Sequence, residues 1–181
     1  MSIPGLTFRP ATPDSRFAEL EWVQPTWRRQ AWELRSAGST VGTMVMPGMF
    51  RQRVVATLST GTLVFDRVGF WQRRATVDTE GGDHVADFEY AWTGDGRLSA
   101  VGGQTFSWHL INAWRGERAW ALEGKEPLVR FRQQRGWKMG INATLIVEPS
   151  ALPLPELPIL VTFGWYLSVL AAYAAAAAAA H

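Results

Sequence analysis

Ser107 and His109 have the residue types of a nucleophile and its base, Asp87 and Glu89 those of an acid and base pair, and His84, His109 and His181 those of metal ligands. Spacing argues against all three. Side chains two apart on a strand stand about 7 Å from one another, too far for a nucleophile to hydrogen-bond its base. Asp87 and Glu89 alternate with Phe88 and Tyr90, which puts both carboxylates on the outward face of a strand. The histidines are too few and too scattered to converge on a metal. With no cysteine, the chain also offers no thiolate ligand, no thiol nucleophile and no disulfide. No G-x-S-x-G, P-loop or G-x-G-x-x-G arrangement occurs, and Gly94-Asp95-Gly96 lacks the following helix that a dinucleotide site needs. The expectation is a non-enzymatic protein without cofactor or metal.

The arginines are the remaining candidates. Arg73 and Arg74 follow Phe70-Trp71, while Arg130 and Arg132 share a strand face near Arg135 and Lys138. Guanidinium forks match phosphate oxygens, and a nearby tryptophan can enter a lipid headgroup layer, so these six residues form a candidate anion- or lipid-binding surface. The plainer alternative is that such arginines pair with neighbouring acids on outward strand faces and guard against edge aggregation. Arginine outnumbers lysine 16 to 2, but acids nearly balance them and the net charge is only +2. That excludes the basic excess of a nucleic-acid binder and leaves anionic membrane lipid or another protein as the expected partner. Most of the ten tryptophans are expected in the core, where large rings fill space efficiently.

The elements that must position these residues are strands. Short alternating segments separated by glycine-centred turns run at 31–36, 40–46, 53–58, 61–67, 72–79, 84–92, 96–100, 104–110, 112–115, 117–123, 127–133 and 141–148. A sheet of about a dozen strands curls, splits or closes. After Glu148 the pattern changes: Pro149, Pro153, Pro155 and Pro158 stiffen a connection into Leu157 to Ala180, which carries no charge. A helix apolar on every side is surrounded by protein or by lipid. Its length suits a bilayer, yet no lysine or arginine lies beyond Lys138 to anchor a span, and the final alanines bury little area each. Closing about a dozen strands leaves an interior too wide for wall side chains to fill, and a helix is the right object to fill it.

The fold expected is therefore mainly β, a closed antiparallel barrel of about 12 strands around a central hydrophobic C-terminal helix. Residues 1–26, with Pro4, Pro10 and Pro13, read as an N-terminal extension, 27–173 as the barrel with its central helix at 156–173, and 174–181 as an oligo-alanine tail. No apolar run near Met1 has the form of a secretory signal, so a cytoplasmic protein is expected, in contact with membranes at most peripherally.

Three runs in this frame carry a resemblance: Gly61-Thr62-Leu63-Val64-Phe65-Asp66-Arg67-Val68-Gly69-Phe70-Trp71, then Glu126-Pro127-Leu128-Val129-Arg130-Phe131, and Leu157-Pro158-Ile159-Leu160-Val161-Thr162-Phe163-Gly164-Trp165-Tyr166. They resemble the tubby C-terminal-like superfamily, in its bacterial, LURP-one-related and phospholipid scramblase-like branch, over about Trp27 to Tyr173. The resemblance implies a twelve-stranded barrel around a hydrophobic helix and, by fold analogy alone, a role at membrane lipids. No site residue carries over, because the basic phosphoinositide-binding signature of tubby proteins does not align here. The functional expectation is a binding or scaffold module acting at lipid headgroups. The alternatives are a tail-anchored membrane protein, in which 157–173 leaves the barrel, and a small-ligand carrier or enzyme, whose sign would be a deep pocket holding a buried charge.

Overall fold

The computed structural model describes residues 18–26, 28–47, 53–68, 73–91, 93–134 and 140–179. Twelve strands follow one another: β1 (Ala18–Val23), β2 (Ala31–Ser36), β3 (Ser39–Val45), β4 (Arg53–Leu58), β5 (Gly61–Val68) and β6 (Arg74–Thr79), then β7 (His84–Tyr90), β8 (Gly96–Ala100), β9 (Thr105–Asn112), β10 (Glu117–Leu122), β11 (Pro127–Gln134) and β12 (Asn142–Val147). Each is antiparallel to its neighbours in sequence, and β1 pairs with β12 to close the barrel, Ala18 opposite Val147 and Trp22 opposite Ala143. A 3-10 turn (Pro149–Ala151) leads to the one helix among the described residues, α1 (Leu157–Ala179).

Two features differ from the expected segments. The first strand, β1, lies inside the stretch read as an extension at 1–26. Its Ala-Glu-Leu-Glu-Trp-Val alternates correctly, with Glu19 and Glu21 exposed and Leu20 and Trp22 buried. Without it β12 and β2 would present unpaired edges, so closure demands the strand that proline-rich surroundings disguised. Conversely, the strand expected at 112–115 is a turn. The Asn112 side-chain oxygen accepts from the Arg115 N–H at 3.1 Å, and Gly116 takes φ of 59° to complete the reversal.

Alternation aims one face of every strand inward. Trp22, Trp32, Phe65, Phe88, Phe106, Trp108, Trp120 and Phe131 are buried there, and α1 runs through the space they enclose. The helix is buried from Leu157 to Val169, half-buried from Leu170 to Tyr173 and exposed from Ala174 to Ala179. It passes the length and apolarity test for a membrane span, but its strongly apolar part is enclosed by the barrel. Trp165 stacks on Trp22 at 5.8 Å between ring centroids and meets Trp32 edge-on, while Phe163 packs against Phe65 and Phe88.

Two devices let this helix fit. Thr162 and Ser168 donate their hydroxyls to the carbonyls of Pro158 and Gly164 one turn back, at 2.7 and 2.8 Å, so neither brings an unmet polar group into the core. Gly164 faces β10 and β11. A Cβ there would stand 2.5 Å from Phe131 and from the Trp120 indole nitrogen, so only glycine admits those rings. The gap brings the Trp120 indole N–H to the Leu160 carbonyl at 2.8 Å.

Candidate functional site

The barrel does not bring the four described residues of the expected cationic surface, Arg73, Arg74, Arg130 and Arg132, together. Arg74 begins β6 and Arg73 precedes it, Arg130 and Arg132 are on β11, and four strands, β7 to β10, separate the two pairs around the wall. Arg135 and Lys138 lie outside the described residues. Arg74 pairs with Asp87 at 2.9 Å, Arg130 pairs with Glu148, and Arg132 reaches the buried Glu117 at 3.5 Å. On β11 the arginines therefore act as partners of local acids.

Topology sorts the charges in another way. The connections β2–β3, β4–β5, β6–β7, β8–β9 and β10–β11 gather at one end, which α1 enters; we call it the entry rim. The remaining connections gather at the opposite end, the exit rim, from which Ala174–Ala179 project.

At the exit rim Arg28, Arg29, Arg53, Arg67, Arg73, Arg74 and Arg115 are all exposed. Trp114, in the β9–β10 turn, is 89% exposed, an exception among the described tryptophans, and Val45, Leu110 and Ile111 are exposed beside the same rim. Trp27, Trp71, Trp92 and Trp137 lie outside the described residues. The described tryptophans apart from Trp114, namely Trp22, Trp32, Trp108, Trp120 and Trp165, are buried. Two polar side chains at this end point inward. Arg118 donates to the Gly94 carbonyl at 3.0 Å, and Gln133 donates to the Ser168 carbonyl at 3.2 Å. Burial lowers the Arg118 pKa from its ordinary value, with Asp95 opposing the shift.

The entry rim is opposite in character. Its turns are short and rich in glycine, with Glu80, Asp83, Glu123 and Glu126 exposed, and Lys125 is the one lysine or arginine among their described residues. Between the β4–β5, β6–β7 and β8–β9 turns and the first turn of α1 lies a cavity of about 570 Å³. Apolar groups from Leu58, Leu63, Val85 and Ile159 line it together with three carboxylates, Glu80, Asp83 and Glu156. Glu156 is only 7% exposed, and its Oε2 has no hydrogen-bond partner among the described residues.

His84 is the first residue of β7 and bridges two acids, Nδ1 to Asp78 at 2.9 Å and Nε2 to Asp87 at 3.2 Å. The hydrogen bond to Asp78, opposed by partial burial and helped by Asp87, raises its pKa above 6.5. Because its two nitrogens face different carboxylates, the trio forms a chain of ion pairs, and no cluster able to hold a metal occurs among the described residues. Ser107 donates its hydroxyl to the Ala121 carbonyl at 3.2 Å, a bond within the wall, so it is not poised toward His109. His181 lies outside the described residues.

Sequence reasoning missed both rims for one reason: each is a set of residues far apart in the chain, gathered by strand direction. The available signal was parity. In a meander, alternate connections share an end, so chain order alone suffices to group the aromatic and arginine-rich ones. Comparison with known proteins finds no family model that matches this chain, and no curated protein or solved structure that matches it.

Proposed function

We propose that this protein is a non-enzymatic binding module that attaches peripherally to an anionic lipid surface through the exit rim. The observation that carries the reading is the joint placement of exposed arginines, the exposed Trp114 and the emerging apolar end of α1 at one end of the barrel. Tryptophan prefers the headgroup level, arginine is drawn to an anionic surface, and an apolar helix end can enter the acyl boundary. Each signal alone is weak, and stable membrane contact takes at least two. The resemblance to the tubby-like superfamily points, by fold analogy alone, to the same class of partner.

Co-sedimentation with phosphatidylserine and phosphatidylcholine vesicles at low and high salt tests the reading. Binding to the anionic vesicles that weakens as salt rises is expected. Equal recovery in the supernatant with both vesicle types at low salt would eliminate it.

A further inference from the structure

We propose that the entry-rim cavity is a binding site for a small apolar molecule bearing a primary amine, with Glu156 as the counter-ion. The site is independent of the lipid reading and lies at the opposite end of the molecule.

The case begins with an unusual carboxylate. Glu156 is 7% exposed, and Oε2 has no partner among the described residues. Burying a carboxylate without a compensating donor is costly, and native structures rarely leave one so. Its position just before α1 does not account for it. The Glu156 backbone carbonyl accepts from the Leu160 N–H at 3.0 Å, but Oε2 accepts from no N–H among the described residues, and Pro158 has none to offer.

The second observation is the space beside it. Glu156 borders the cavity of about 570 Å³, within the roughly 300–1,000 Å³ range of small-molecule pockets. The walls near α1 are apolar, from Leu58, Leu63, Pro158 and Ile159, while Glu80 and Asp83 stand at the exposed side. No lysine or arginine among the described residues lines it, and the one basic side chain that does, His84, is held by Asp78 and Asp87. Such a pocket rejects anions, holds an apolar body by area and offers a fixed negative charge to one donor group. A protonated amine supplies what the carboxylate lacks, a charge-assisted hydrogen bond.

The third observation concerns access. Gly102, in the β8–β9 turn, lies against the carboxylate, and a Cβ there would stand 3.4 Å from Glu156 Oε1. A larger side chain at this position would crowd the approach to the charge while leaving the barrel wall untouched.

The probe pair is tryptamine and tryptophol, which differ in an amine against a hydroxyl, titrated by calorimetry into the full chain without lipid at neutral pH. Tryptamine is expected to bind roughly tenfold or more tightly than tryptophol, and Glu156→Gln, which keeps the side chain's shape, should abolish that preference. Gly102→Leu should weaken tryptamine binding to a similar degree. The inference is overturned if neither probe binds, if the two bind equally to the unaltered protein, or if Glu156→Gln keeps the preference. Should Glu156→Gln fail to fold, the decision rests on Gly102→Leu, and unchanged tryptamine affinity in that variant overturns the inference. Vesicle binding by the same preparation shows separately whether the exit-rim reading stands.

Discussion

The two rims are made of the same kind of part, antiparallel connections between neighbouring strands, and they share the two ends of one helix. The entry rim uses short turns of glycine and acid around a cavity, and it receives α1 at a buried glutamate. At the exit rim stand exposed arginines and Trp114, Arg118 and Gln133 bond to the Gly94 and Ser168 carbonyls, and α1 leaves as bare alanine. The difference teaches that the wall and the rims answer to separate demands. Inward positions are dictated by the need to fill the space around a helix, so away from the rims they are apolar, with bulky rings set beside the small Ala56, Ala75, Ala86 and Ala143. Rim positions are free of that demand: the entry-rim turns carry mainly acids, while the exit rim carries exposed arginines together with Glu89 and Asp95.

The comparison can be broken or sharpened at several points. The largest effect is expected from removing 157–181, which takes the filling out of the barrel. Burial of a single Leu, Ile, Val or Phe side chain is worth about 1.5–3 kcal/mol, and α1 contributes Leu157, Ile159, Leu160, Val161, Phe163, Trp165, Leu167 and Val169 to the core. The shortened chain should show no cooperative thermal transition. If it folded normally, the two rims would not be joined through α1 at all.

Next is Gly164→Leu, which forces a side chain against Phe131 and Trp120. Overpacking of this kind costs about 1–3 kcal/mol or more, read as a lower denaturant midpoint with an unchanged slope.

A charge reversal at Arg115 should act on one rim alone. With about 1 kcal/mol per basic residue near an anionic surface, Arg115→Glu loses one attraction and gains one repulsion, about 2 kcal/mol or a 30-fold loss of vesicle affinity. Neutralising Glu80 and Asp83 together should leave vesicle affinity unchanged, and an equal loss there would erase the distinction between the ends.

Deletion of 174–181 is expected to leave folding stability nearly unchanged, because the described alanines in it are exposed. Vesicle affinity should fall, since the apolar end of α1 is then absent.

The smallest effect concerns His84, which is half-exposed between Asp78 and Asp87. Its folded pKa is raised, so the protonated ring favours the folded state. The contribution is fully present below 6.5, the ordinary value, and is lost as pH rises through the raised folded value. A nuclear magnetic resonance titration should place the midpoint above 6.5, and Asp78→Asn should bring it down. An unshifted midpoint would remove the link between β6 and β7 from the description of the entry side.

Much of the architecture was written in local pattern. Alternation marked Val85 to Tyr90 as half-buried, with Phe88 inward and Asp87 outward, and the same alternation was present in Ala18–Val23 even though prolines before it drew that strand into the supposed extension. The uncharged run from Leu157 required total enclosure, because an all-apolar helix can satisfy itself only in protein or lipid. Side-chain type and period two therefore determined a β-rich wall and a helix that needs one, down to the exposed alanines at its end. Tertiary structure alone decided what came together. Arg73–Arg74 and Arg130–Arg132, alike in sequence, sit on strands far apart around the barrel, and the second pair is held by Glu148 and Glu117. Glu156 looked like one more residue in a proline-rich connection, and its burial beside a cavity depends on hairpins as distant as Leu58 and Val85. Periodicity is a property of neighbours in the chain, whereas a rim or a cavity is a property of closure, fixed only when β1 meets β12.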